Sequence, residues 1–245
     1  MKMKTQLIRA CLATLLVVGS VAKSNAATYT VDPGATWVGY MNVFGLGTPG
    51  YGAAGAGGYV FGSPWGPGDL KATFAGPVLS LSPNTIGDPD PFWYVGGGAP
   101  GNPGNKIMDA SFYQQFDGSL AGTTVTFTGD VLSQTLALGP VNSLGYGWTS
   151  VAFIKDFAPD YSSFVSTTVA LTPGVFSISL GTIADAARHV QFGFQTIGPD
   201  AWITDAGAFG SIAVTAVPEP ASAALLIGGL ACLVGYRRNK ASHKN

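Results

Sequence analysis

The sequence predicts an all-β protein built as a two-layer antiparallel β-sandwich, and three observations carry that prediction. Glycine and proline number 35 and 16 among 245 residues, so turn formers interrupt the chain too often for long helices. No window repeats its apolar residues at helical spacing. Several short segments instead alternate apolar and polar residues with a period of two, the pattern of a strand with one buried face.

The first segment, 1–26, is not part of that sandwich. Lys2, Lys4 and Arg9 form a basic start, residues 10–22 an apolar run, and Ser24-Asn25-Ala26 a small-x-small site, so it reads as a secretory signal helix cut between Ala26 and Ala27. Signal peptidase is the partner this implies.

The exported domain is expected over 27–216, as a single unit long enough to bury a core without covalent staples. Ten strands are expected, at 36–44, 70–74, 78–81, 111–116, 123–132, 149–157, 166–171, 175–180, 190–197 and 211–216. In the fifth, Val125, Phe127 and Val131 share one face with Gly129, and Thr124, Thr126, Thr128 and Asp130 share the other. In the ninth, Val190, Phe192 and Phe194 alternate with Gln191, Gly193 and Gln195. Strands this short and this evenly punctuated point to a jelly roll, with a β-barrel as the alternative. An outer-membrane barrel is disfavoured by the short strands and the lack of aromatic girdles.

Two stretches are expected to be long loops. Residues 45–68 are dominated by Gly, Ala and Pro and carry Tyr59, Phe61 and Trp65; residues 87–106 carry Asp88-Pro89-Asp90-Pro91, Phe92-Trp93-Tyr94 and three consecutive glycines. Their aromatic content argues for ordered packing, since flexible linkers lack it.

The last segment, 217–245, has its own grammar. Val217, Pro218, Glu219 and Pro220 precede an uncharged apolar run over 221–236, followed at once by Arg237 and Arg238. As a helix that run would be about 24 Å long, slightly short of a hydrocarbon core of about 30 Å. The two arginines would stay on the cytoplasmic side. The order of these parts resembles the PEP-CTERM sorting signal of Gram-negative bacteria. The resemblance implies an exosortase, a membrane-embedded transpeptidase-like protease, as processing partner. It also implies a transient inner-membrane anchor and a final place at the cell envelope, the cell surface or outside the cell.

Charge and chemistry narrow the function. Between Ala27 and Val217 four cations, Lys71, Lys106, Lys155 and Arg188, stand against twelve aspartates, a net charge of −8. Such a surface disfavours nucleic acid and anionic lipid, which are bound mainly through Lys and Arg. Both cysteines, Cys11 and Cys232, fall in the terminal apolar runs, so the exported domain has no thiol for zinc, disulfide or nucleophile. Its one histidine, His189, lacks a Gly-x-Ser-x-Gly partner motif, and no aspartate pair is singled out, so no catalytic residue is expected.

Two binding chemistries remain. Asp88 with Asp90, Asp156 with Asp160, and further along Asp200 with Asp205 sit at loop spacings that would suit a structural Ca²⁺, the one cofactor considered. The competing reading is that these aspartates cap turns. Aromatic faces suit sugar rings, and among them Trp65, Trp93 and Tyr94 are the expected glycan-binding residues, with Trp37 and Trp202 in the core. In architecture alone the domain resembles jelly-roll carbohydrate-binding modules. The expected function is therefore a non-enzymatic surface or matrix protein that contacts extracellular polysaccharide. The alternatives are a structural or adhesive module without a glycan ligand and an Asp-dependent polysaccharide hydrolase.

Overall fold

The computed structural model describes residues 25–47, 57–138 and 144–217. Nearly all of the expected signal segment, and the sorting segment from Pro218 on with Glu219, Pro220, Arg237 and Arg238, lie outside the described residues. Among the described residues no helix is long and apolar enough to cross a membrane.

The described chain is all-β. Its strands are β1 (Ala26–Thr30), β2 (Val38–Gly45), β3 (Tyr59–Pro64), β4 (Ala72–Ala75), β5 (Val78–Leu81) and β6 (Lys106–Asp117). They continue with β7 (Thr124–Gln134), β8 (Thr149–Phe157), β9 (Phe164–Ala170), β10 (Gly174–Gly181), β11 (His189–Pro199) and β12 (Ile212–Thr215). A single 3₁₀ turn, Ala206–Phe209, precedes β12.

These strands form two six-stranded sheets. One runs β3-β2-β6-β11-β8-β9, antiparallel throughout. The other is centred on β7, which pairs with β10, β1 and β12, while β12 continues to β5 and β4. A strand has only two edges. β10 covers Thr124–Val131 of β7, β1 covers Thr124–Thr128 and β12 reaches from Asp130 to Gln134, so β1 and β12 share the edge opposite β10. Pairing from β5 onward is nested: β8 with β9, β7 with β10, β6 with β11 and β5 with β12, every pair antiparallel.

Alternation decides which residues fill the space between the sheets. Val125, Phe127 and Val131 of β7 and Phe176 and Ile178 of β10 face Phe112, Phe192 and Phe194 of the opposite sheet, all within one buried cluster. Phe127 touches both Phe192, at 5.3 Å between ring centroids, and Phe194, at 5.4 Å. Each fully buried ring of this kind contributes about 1.5–3 kcal/mol relative to an exposed one. Gly129 interrupts this face because a Cβ there would strike the Phe176 ring and press on Val31.

All ten expected strands are present, and five differences stand out. First, β1 was assigned to the signal boundary; Ala26 is already its first residue, and Tyr29 stacks on Phe192 at 4.4 Å. Second, β1 runs parallel to β7, so the sheets are not purely antiparallel. Third, β3 lies inside the glycine-rich stretch expected to be a loop. Gly62 there lets the strand approach Asn42 and the Tyr40 ring, where a side chain would collide. Fourth, β6 starts five residues before the expected 111. Its first nine residues are all buried, so alternation vanishes from the sequence exactly where both faces are covered. Fifth, the deepest tryptophan is Trp148, 2% exposed, whereas Trp37 and Trp202 are half-buried. Trp37 nonetheless stacks on Phe112, 4.5 Å away and within 7° of parallel.

Candidate functional site

The loop over 87–105 is irregular and ordered, as its composition suggests. Asp88 accepts the Asp90 amide through Oδ1 at 3.0 Å, and Asp90 accepts the Phe92 amide at 2.7 Å. Both are thus turn caps in this structure. Tyr94 is 0% exposed, which overturns its assignment to a glycan-binding surface. The loop needs its hydroxyl inside: Tyr94 Oη bonds the Ile86 carbonyl, accepts the Ile86 amide at 3.1 Å and lies 3.2 Å from the Ala201 carbonyl. Burial, reinforced by Asp200, pushes that phenol up. Trp93 is half-buried, edge-on to Phe92 and Phe61. Trp65 is half-buried too and donates from Nε1 to Ser63 Oγ at 2.8 Å.

The second expected aspartate pair is split. Asp156, 0% exposed, accepts Arg188 Nε at 2.8 Å through one oxygen and the Ile183 amide at 2.8 Å through the other. Arg188 also donates from Nη2 to the Asp156 carbonyl. Asp160 is exposed and caps Ser162, whose hydroxyl and amide hold its carboxyl below the usual range. Asp156 and Asp160 therefore do not form one ligand set, because the guanidinium claims the first. Among the described residues no three acidic, histidine or cysteine side chains gather as a metal cluster.

What the structure does bring together lies at the far end of β11. A cavity of about 190 Å³ is walled by Trp148, Trp202 and Phe209, with Asp200, Asp205 and Asn102 among its polar lining. The 87–105 loop supplies one side, Gly101 to Gly104, and the chain just past β11 supplies the other. A bridge from Tyr94 to Gly104 closes the loop on itself, and one from Thr85, just before the loop, to Ala201 ties its base to the chain past β11. Asp205 Oδ2 accepts the Gly101 amide at 2.7 Å, and Trp148 Nε1 donates to the Pro199 carbonyl at 3.1 Å. Trp202 stands edge-on to Tyr94, 5.2 Å away. Pockets for drug-sized ligands run to about 300–1,000 Å³, so this one suits a single ring or a chain end.

Asp200 gives the cavity its electrostatic character. It is 1% exposed, its Oδ1 receives only a long 3.4 Å contact from the Lys106 amide, and its Oδ2 accepts no hydrogen bond. Burial pushes its carboxyl up to about 7 against the pull of nearby amides and Lys106. The Lys106 ammonium is turned elsewhere, donating to the Phe92 carbonyl at 2.7 Å and sitting 4.1 Å over the Phe92 ring.

A second polar array covers the outer face of the β6-containing sheet. Gln195 donates to Asp109 at 2.6 Å, Gln191 to Gln115 at 2.7 Å, and Gln115 to Asp117 at 2.9 Å. Burial raises Asp109 and lowers Lys155, so both resist ionisation. His189 donates from Nδ1 to Asp117 at 2.7 Å and stacks flat on Tyr161. Its Nε2 faces the Pro159 carbonyl at 3.3 Å rather than a serine. The period-two Gln191 and Gln195 are the sequence signal for this array; loop spacing pairs Asp200 with Asp205, and both line the cavity, but nothing in the sequence marks Asp200 as buried.

No protein-family model, curated protein or solved structure matches this chain.

Proposed function

We propose that this is an exported cell-surface or matrix protein, sorted by a PEP-CTERM signal, whose non-catalytic β-sandwich contacts extracellular polysaccharide at the cavity beyond β11. The observation that carries the glycan reading is the union of three aromatic walls with Asp200, Asp205 and Asn102 in one ring-sized space. Sugars offer apolar ring faces and hydroxyls together, and this lining answers both. The 87–105 loop supplies Gly101 to Gly104 of the lining, and in this reading Trp202, rather than Trp93 or Tyr94, offers the ring. The nested pairing of β5 to β12 supports a jelly roll, a hairpin of hairpins rolled into two sheets.

The sorting reading rests on the sequence from Val217 to Arg238, with Val217 two residues past the end of β12. Signal peptidase and exosortase are its processing partners. A non-catalytic role is supported by His189, whose second ring nitrogen meets the Pro159 carbonyl rather than a serine hydroxyl. One observation favours a hydrolase as second reading: two carboxylates, Asp200 and Asp205, line the cavity, and burial raises Asp200.

The test is a fluorescence titration of the full chain in detergent with the producing cell's extracellular polysaccharide, beside Trp202→Ala and Phe209→Ala. Saturable binding by the parent, weakened at least about tenfold by either variant, is expected of a glycan site in which aromatic contacts dominate. Binding untouched by both variants moves the contact off this cavity, and no binding leaves a structural module. Release of new reducing ends, lost in Asp200→Asn, would make the protein a hydrolase.

A further inference from the structure

Resting on that glycan reading, we infer that the cavity beyond β11 selects an amino sugar with a free ammonium group, placing that cation between the aromatic walls and the Asp200 and Asp205 carboxylates. Charge is the first argument. No lysine, arginine or histidine lines the cavity among the described residues, so a uronate or a sulfated sugar would meet two carboxylates and no cation. The second is the unpartnered acceptor: Asp200 Oδ2 is buried without a hydrogen bond, a condition that costs free energy until a donor arrives. The third is the nearest protein cation, since the Lys106 ammonium is already engaged by the Phe92 and Asn105 carbonyls and the Phe92 ring.

The walls point the same way. Trp148, Trp202 and Phe209 present π systems, which attract ammonium groups electrostatically, most strongly when the cation is desolvated. A neutral hydroxyl would satisfy one lone pair of Asp200; an ammonium would also supply the missing countercharge. Titratable groups around the site are Asp200, Asp205, the Tyr94 phenol and Lys106. Burial raises Asp200 to about 7, so its charge changes near neutrality. Affinity for an ammonium sugar should therefore climb as pH rises from about 5 through about 7, because the ionised carboxylate is the binding form.

The experiment compares oligomers of equal length: glucosamine, N-acetylglucosamine, glucose and glucuronate, each titrated into the full chain in detergent at fixed ionic strength. The glucosamine oligomer should bind about tenfold or more tighter than its acetylated form, as expected for a charge-assisted contact between aromatic walls. Glucuronate should be weakest. Asp200→Asn should erase the amine preference and the pH dependence while Trp202→Ala weakens every oligomer. Should Asp200→Asn fail to fold, Asp205→Asn, at the accessible rim, should reduce the preference in part. Equal or tighter binding of the acetylated or uronate oligomer, with Trp202→Ala still disruptive, overturns the amine inference and leaves glycan contact standing. Failure of all four oligomers and of the native polysaccharide overturns both.

Discussion

The two ends of β11 treat a buried carboxylate in opposite ways. At its start, Asp156 has both oxygens engaged, one by the Arg188 guanidinium and one by the Ile183 amide. At its finish, about 35 Å along an 11-residue strand, Asp200 is as deeply buried but keeps one oxygen unpartnered and its nearest lysine turned away. The first arrangement is complete without anything from outside, which marks it as structural. The second is incomplete within the chain, and it borders a cavity.

The largest effect that could break this contrast is at the closed end. Arg188→Ala leaves Asp156 charged and buried, and should cost about 3–5 kcal/mol in denaturant unfolding; a loss below about 1 kcal/mol would mean that Asp156 is not held as described. At the open end the expected signal is a pH slope. The folded-state value of Asp200 is raised, so the unfolded chain gives up this proton first. Its contribution to stability is therefore fullest below about pH 4 and is lost as pH climbs through about 7, by a ceiling on the order of 4 kcal/mol. Unfolding curves at several pH values should show that decline in the parent and a flatter line in Asp200→Asn. Identical slopes would erase the distinction between the two ends.

Tyr94→Phe sharpens the comparison, since it removes the hydroxyl that ties the cavity loop to Ile86 and Ala201. Leaving those buried groups unpaired should cost about 1–3 kcal/mol. The smallest effect is expected from His189→Ala, whose partner Asp117 is exposed. There the loss should be at most about 1 kcal/mol and should shrink in high salt. A larger, salt-insensitive loss would show that the Tyr161 stack, not the ion pair, secures that corner.

What the sequence revealed follows from what each residue says locally. β5 and β8 match their expected bounds, β5 as a short run after a turn and β8 as an apolar stretch between turn formers. The start of β6 was illegible because Lys106 and Asp109 look like surface residues, and their burial depends on neighbours from distant strands. β3 hid among glycines that serve close approach rather than looseness. At the site, the 87–105 loop was legible as ordered by its aromatics. Which ring faces inward was not: the ordering of Tyr94 inward and Trp202 toward the cavity depends on Ala201 and Ile86, distant in sequence and brought together only by the bridge at Thr85. Asp200 looks like a turn residue until its oxygen is seen to lack a partner.

The shared edge of β7 limits how the chain can be trimmed. β1 and β12 approach each other along that edge and stop on either side of Gly129, so β12 has no further rung to occupy after Thr215. The backbone accordingly leaves the sheet at Ala216 and Val217, immediately before Pro218. At the other terminus β1 begins at Ala26, so a start at Ala27 already removes its first rung, and each deeper cut exposes more amides and carbonyls between Thr124 and Thr128, an open seam where a second chain could pair. The sheet thus sets a tolerance of one or two residues at either boundary of the described β-domain, and overshooting it at the front leaves a sticky edge.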